Sequence, residues 1–192
     1  MFIFRDPVFS INKKHTIEFC KKIINKKIKI KFMIETHLRI LDSDLIEILK
    51  KAGLRAVKVG VENGSEEILK NESRNTIPKD EQLKKIREIE SHKILVSAMY
   101  ILGFPTDDLK SIKTTINYAK FLNTTYAQFS IFTPYPGTSS YKEFDNKIDV
   151  ERFESFDQYQ LVYKHKNLSK KNVREYLNNA YQNMFSEVYL LI

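Results

Sequence analysis

Two spacings of apolar residues alternate along the chain. Short β-prone runs lie at 2–4, 28–34, 56–61, 94–102 and 127–132. Between them apolar residues recur every three or four positions. Ile17, Cys20 and Ile24 make one helical face, and Leu45, Ile48, Leu49 and Ala52 a second. Leu83, Ile86 and Ile89 make a third; Leu109, Ile112, Ile116 and Ala119 make a fourth. Asp42 is placed to cap the second helix, which is acidic in its first turn, basic in its last, and stops at Gly53. Pro78 suits the first turn of the third helix, and Asp107 or Asp108 can cap the fourth.

Strands alternating with helices of roughly three turns imply βα units around a parallel sheet with right-handed crossovers. Several runs are nearly continuous in apolar residues, as strands covered on both faces are. The first run, "FIF", reads as a buried strand with no lead-in, ended by Pro7. After residue 146 the pattern changes. "NKIDVERFESFDQYQLVYKHKN" is mixed and irregular. Ser169 then opens an amphipathic helix with Val173, Tyr176, Leu177, Ala180, Tyr181, Met184 and Val188 on one stripe. The chain is therefore expected to divide into a sheet-bearing domain at 1–146 and an extension at 147–192, whose apolar end, "EVYLLI", looks cut.

Composition narrows the class. With 192 residues, 42% hydrophobic and 29% charged, the chain can bury a core and resembles ordinary water-soluble domains. The net charge of +8 comes from scattered lysines, which fits a solvated face better than a nucleic-acid arm. The single cysteine, Cys20, excludes an internal disulfide and a multi-cysteine metal site built by these residues alone. It reads as a core residue. The longest apolar run, "ILVSAMYILGF", is too short to span a bilayer and no signal pattern opens the chain, so a cytoplasmic location without membrane contact is expected.

In parallel βα architectures, functional groups gather at the carboxyl ends of strands. Those positions carry Arg5-Asp6, Glu35-Thr36-His37, Glu62-Asn63-Gly64-Ser65, Gly103-Phe104-Pro105-Thr106-Asp107 and "TPYPGT" at 133–138. Each also has a plain structural role open to it, as turn former, solvated strand end or tight turn. Glu35 and Glu62 could form the carboxylate pair of a barrel hydrolase. Neither Gly-rich phosphate motif occurs.

Together these motifs resemble the later part of a radical S-adenosylmethionine (SAM) enzyme. The group resembled often follows a cobalamin-binding domain, and its barrel is related to that of the tRNA methylthiotransferases. "FRDPVFSINKK" resembles the second barrel strand and loop, and "IETHLRILDSDLIEILKKAGLRAVKVGVENGSEEILK" the third and fourth units. "SAMYILGFPTDDLKSIKTTINYAKFLN" and "AQFSIFTPYPGTSSY" resemble the fifth and sixth. The likeness runs from residue 2 to about 143, with five blocks in order. It implies a partial TIM-type (β/α) barrel of about five parallel units, strands 2–6 of six, with a C-terminal helical extension.

The resemblance also implies cofactors: a [4Fe–4S] cluster held by three cysteines, SAM chelated to its open iron, and a 5′-deoxyadenosyl radical released when SAM is cleaved. Cobalamin use is open. Asp6 and Pro7 fall where the family's loop backbone meets the SAM amino group. Glu62 and Asn63 fall where polar groups face the ribose or methionyl portion. Ile101 and Gly103 match the segment packed near the adenine, and the loop holding Pro134 lies across it. Glu35 and His37 would face the substrate or the cofactor's outer edge. The sequence departs from the family mildly: Asn63 stands where serine is common, Thr106 where glycine is usual, and Asp107 where glutamate is usual. The larger departure is that Cys-x3-Cys-x2-Cys does not occur. A missing first βα unit, separated by gene truncation, a split gene or incomplete sequence, is expected to carry it. These residues alone are then expected to be inactive. The other reading is a non-catalytic binding or assembly module that keeps a nucleotide-like ligand site.

Overall fold

The computed structural model describes residues 1–185. Five parallel strands form one sheet in the order β1-β2-β3-β4-β5: β1 (Phe2–Ile3), β2 (Phe32–Thr36), β3 (Leu54–Glu62), β4 (Leu95–Leu102) and β5 (Tyr126–Ile131). The intervening helices are α1 (Lys13–Asn25), α2 (Ser43–Ala52), α3 (Glu66–Asn71), α4 (Lys79–Ser91) and α5 (Leu109–Leu122). α6 (Ser139–Phe144) and α7 (Lys170–Phe185) come after the last strand. Two compact units divide the chain. One holds 1–61, 76–99 and 122–128; the other holds 62–75, 100–121 and the residues from 129 onward. The second unit thus collects the carboxyl ends of β3, β4 and β5 with the loops that leave them.

The core of the first unit lies between one face of the strands and the helices beside them. Phe32, Ile34, Val57, Val59 and Val61 are wholly or almost wholly buried, as are Cys20, Leu45, Leu49, Ile86 and Ile89. Phe4 joins Phe9, Phe19 and Phe32 in an aromatic cluster with ring centroids 4.9–5.6 Å away, which ties the turn after β1 down. Caps fix the helix ends: Asp42 Oδ1 accepts from Leu45 N at 3.0 Å, and Gly53 stops α2 with φ +117°. A side chain at Gly53 would lie 2.2 Å from the Ile30 carbonyl oxygen, so no other residue fits there.

Several sequence expectations shift. The run 2–4 reads as buried, yet Phe2 and Ile3 are 63% and 51% exposed, because β1 has a neighbour on one side in the described sheet. The strand expected at 28–34 spans 32–36. Ile28 N–H closes α1 by donating to Ile23 O, and the register pairs Phe32 with Phe2 and Leu54. α1 buries Thr16, Cys20 and Ile23 rather than Ile17, Cys20 and Ile24, since the Thr16 hydroxyl is satisfied by Asn12 O at 3.1 Å. α4 likewise buries Gln82 in place of Leu83; Gln82 Nε2 donates to Ile77 O at 2.8 Å. Pro78 caps α4 rather than entering its first turn. The strands bury one face fully and the other only in part, not both, as the alternating burial of β3, β4 and β5 records.

In α7, Val173, Leu177 and Ala180 are buried, and Ser169 Oγ accepts from Asn172 N at 3.1 Å as its cap. Val188 and the "EVYLLI" end lie outside the described residues. No described helix is long and apolar enough to cross a membrane.

Candidate functional site

The last residue of β3 departs from strand geometry. Glu62 has φ +72°, a left-handed conformation that costs a side-chain-bearing residue roughly 1–2 kcal/mol. Lys27, Ser73, Lys93 and Asn123 share positive φ but sit at or just past helix ends, where such a residue is an ordinary stop. Glu62, like Gln158 at φ +68°, does not sit at a helix end. Its Oε2 is buried without a hydrogen-bond partner and makes a long ion pair, 3.7 Å, with the guanidinium of Arg74. That guanidinium also lies 5.1 Å above the Phe104 ring.

The residues immediately after Glu62 are rigidly braced. Asn63 is fully buried: its oxygen accepts from Ser65 N at 2.8 Å and from the Thr115 hydroxyl at 2.9 Å. Its amide nitrogen faces Ile101 O at 3.4 Å and Asp107 Oδ1 at 3.5 Å. Gly64 lets α5 approach. A side chain there would meet Thr115 Cα at 2.7 Å and Thr114 O at 2.9 Å, while Gly64 N–H donates to the Thr115 hydroxyl at 3.0 Å. Asn63 is thus a brace between β3, β4 and α5, its polar atoms spent on protein groups.

The loop after β4 is built the same way. Gly103 turns with φ +75°. Asp107 is fully buried and accepts from Phe104 N at 2.9 Å and from the Ser111 hydroxyl at 2.5 Å. Burial pushes the Asp107 carboxyl above the usual range, against the opposing pull of those bonds. Of the two aspartates expected as caps, Asp108 caps α5, accepting from Ser111 N at 2.8 Å; Asp107 turns into the loop instead. Glu72 Oε1 accepts from the Thr106 N–H and hydroxyl at 3.2 and 2.6 Å.

A strap that reads in the sequence only as irregular chain closes over this loop. Tyr163 donates to Gly103 O at 2.9 Å, and Asn167 Nδ2 to Asp107 O at 3.1 Å. His165 Nδ1 accepts from the N–H groups of Asn167 and Leu168, so its proton sits on Nε2, which donates to Phe104 O at 2.8 Å. Burial drives the Tyr163 phenol upward, keeping it a donor. No local motif announces these contacts; Tyr163 and His165 are ordinary in sequence and become informative only in space. Pro134 is buried in the loop after β5, and Ile101 is half-buried.

Asp6, Pro7 and Glu35 belong to the other unit. Asp6 and Pro7 are exposed and Glu35 is half-buried, with Pro7 and Glu35 lining one cavity of about 110 Å³. His37 is exposed just before a short 3₁₀ turn.

These residues fit SAM in part and a cluster not at all. The orphaned Glu62 oxygen is an acceptor in want of a donor, which a ribose hydroxyl or an ammonium group provides. Ile101 is half-buried, while Gly103 and Pro134 are buried and the Gly103 carbonyl already accepts from Tyr163. An iron–sulfur cluster needs several thiolates. The sequence has one cysteine, which is fully buried and pushed up to about 11 by burial. Among the described residues, no group of three His, Cys, Asp or Glu side chains could hold a metal ion.

Comparisons with known proteins bear on the family and the fold. The family model for the radical SAM superfamily matches residues 9–119. An uncharacterised methyltransferase of Pyrococcus horikoshii is 25% identical over 191 residues, covering 98% of this chain and 41% of its own length. The anaerobic magnesium-protoporphyrin IX monomethyl ester cyclase of Rubrivivax gelatinosus is 28% identical over 159 residues, covering 81% and 28%. Among solved structures, the radical SAM methyltransferase TsrM of Kitasatospora setae, with cobalamin and a [4Fe–4S] cluster bound, superposes with a TM-score of 0.67 at 18% identity, covering 75% and 30%. This chain spans less than half the length of those curated relatives. The structural likeness establishes the α/β partial-barrel fold. With the family model matching more than half of its residues, the chain belongs to the radical SAM superfamily.

Proposed function

We propose that these residues form the part of a radical SAM enzyme that holds the adenosyl and methionyl portions of SAM, while the cluster cysteines come from outside this sequence. The observation that carries this reading is Glu62, a strained strand-end residue with a buried, unsatisfied carboxylate oxygen. Strain of this kind is kept where a ligand uses it. In a complete enzyme, SAM and a [4Fe–4S] cluster would supply the radical chemistry. This chain's own residues do the holding. Glu62 accepts a hydrogen bond from the ribose or ammonium, Arg74 balances its charge, and Asn63 and Asp107 fix the loops behind them. Ile101, Gly103 and Pro134 bound the adenine. Cobalamin is proposed as a second cofactor of the whole enzyme, from the cobalamin bound in TsrM.

The 192-residue chain alone should bind SAM but neither assemble a cluster nor cleave it. Equilibrium dialysis with labelled SAM, then anaerobic treatment with iron and sulfide, separates the two claims. Cleavage should appear when a polypeptide bearing Cys-x3-Cys-x2-Cys is added. Cluster absorbance and SAM cleavage by the chain alone would refute the division of labour, and absence of SAM binding would refute the site.

A further inference from the structure

Where β1 gives way to its turn, the first unit contains a row of charge that the SAM site does not use. Phe4 N–H donates to Met33 O at 3.0 Å and Phe9 N–H to Glu35 O at 2.9 Å; the chain between them bows out. A cavity of about 110 Å³ opens there, lined by Arg5, Pro7, Met33, Glu35 and Lys58. Glu35 and Lys58 are register partners across β2 and β3, so their side chains share one face of the sheet. Two cations and one carboxylate therefore line the same cavity. Among the described residues none of the three side chains makes a hydrogen bond or ion pair with another group. A half-buried ammonium with no counter-ion has given up part of its hydration without return.

We infer that Arg5 and Lys58 receive a carboxylate of the molecule on which the enzyme acts, which makes the substrate an organic acid. The word substrate rests on the radical SAM reading; the anion site itself does not. Size agrees. The cavity exceeds the roughly 30 Å³ that one water takes, which leaves room for a carboxylate. Chemistry agrees as well. A planar guanidinium reads a planar carboxylate through paired N–H groups, and Lys58 adds a point charge. Glu35 sets the selectivity: one positive charge remains in excess, so a monoanion is neutralised, while a phosphate dianion meets repulsion from the Glu35 carboxylate.

The test uses the 192-residue chain and sodium propionate as the probe, with propionamide and inorganic phosphate as controls at constant ionic strength. Backbone amide resonances of Arg5, Glu35 and Lys58 are tracked by NMR. Saturable shifts with propionate, absent with propionamide and weak with phosphate, are expected. Lys58→Met should weaken propionate binding about tenfold or more, and Arg5→Gln should weaken it in the same direction. Both variants should retain SAM binding. Non-saturating shifts, or affinity unchanged in both variants, would overturn the inference. Displacement of propionate by SAM would also overturn it, because the carboxylate received would then be the cofactor's own. If propionate binds as expected while SAM does not bind at all, the anion site stands and the cofactor reading falls.

Discussion

The loop after β4 and the turn after β1 both place polar residues at the end of a strand, but they are built in opposite ways. Asp107, in the first, is fully buried and accepts from a backbone N–H, a hydroxyl and an amide. Asp6 and Arg5, in the second, are exposed, and no described side chain engages them. The first turn is held from behind by Asn63, Thr115, Tyr163 and His165, whereas the second is anchored at its two ends, by the packing and backbone N–H bonds of Phe4 and Phe9 and by the Ser10–Thr36 hydroxyl pair, with Arg5 and Asp6 free between them. Buried polar networks that are fully satisfied specify one conformation. The contrast therefore separates a preformed surface, suited to a cofactor that never changes, from an adaptable one suited to a partner or substrate that orders it.

Substitutions should divide along the same line, and the largest effect belongs to the braced side. Gly64→Val should cost about 3 kcal/mol or prevent folding, because the new side chain strikes backbone atoms of α5. Urea denaturation measures this, and a stable Gly64→Val chain would show that α5 is not held there. Asp107→Ala should cost about 2–3 kcal/mol by leaving Phe104 N–H and its neighbours without an acceptor.

Asp107→Asn tests the same residue by pH. Burial raises the carboxyl's pKa in the folded chain above its unfolded value, so the folded state keeps the proton to higher pH. Its contribution to stability is therefore full below the ordinary carboxylate range and is lost as pH rises through the folded value. The asparagine variant lacks that titration and should lose less stability over the same window. An equal loss in both chains would place the titrating group elsewhere.

Tyr163→Phe, which deletes the bond to Gly103 O, should cost about 1 kcal/mol in the same denaturation series. Glu62→Gly should move the other way, gaining up to about 1 kcal/mol as the left-handed strain is relieved. On the adaptable side, Arg5→Ala and Asp6→Ala should change stability by no more than about 0.5 kcal/mol. A larger loss from either would erase the contrast.

The sequence carries the order of elements and the positions of the strand-end motifs clearly, because periodicity and caps are local. Asp42, Gly53 and Ser169 act where their chemistry predicts. Features decided by distant partners escape it. β2 starts at Phe32 rather than Ile28 because its register is set by Phe2 and Leu54. The α1 face turns by one position because Thr16 can be buried once Asn12 O satisfies it. Spacing alone could not tell which of Asp107 and Asp108 caps α5. The strap of Tyr163 and His165 has no local signal, since its contacts reach back about sixty residues. The short helices α3 and α6 are likewise too brief to show a period. Glu62 is legible as a strand-end acid, but its positive φ and orphaned oxygen are not.

The central claim is that Glu62 is kept strained in order to hold SAM, and calorimetric titration of SAM into the wild-type chain and Glu62→Gln tests it directly. SAM affinity should fall about tenfold or more in the variant, while stability falls by no more than about 1 kcal/mol, since the buried oxygen has no hydrogen bond to lose and its ion pair with the partly exposed Arg74 is long at 3.7 Å. Equal SAM affinity in the two chains, or a loss of stability in place of affinity, would contradict the account.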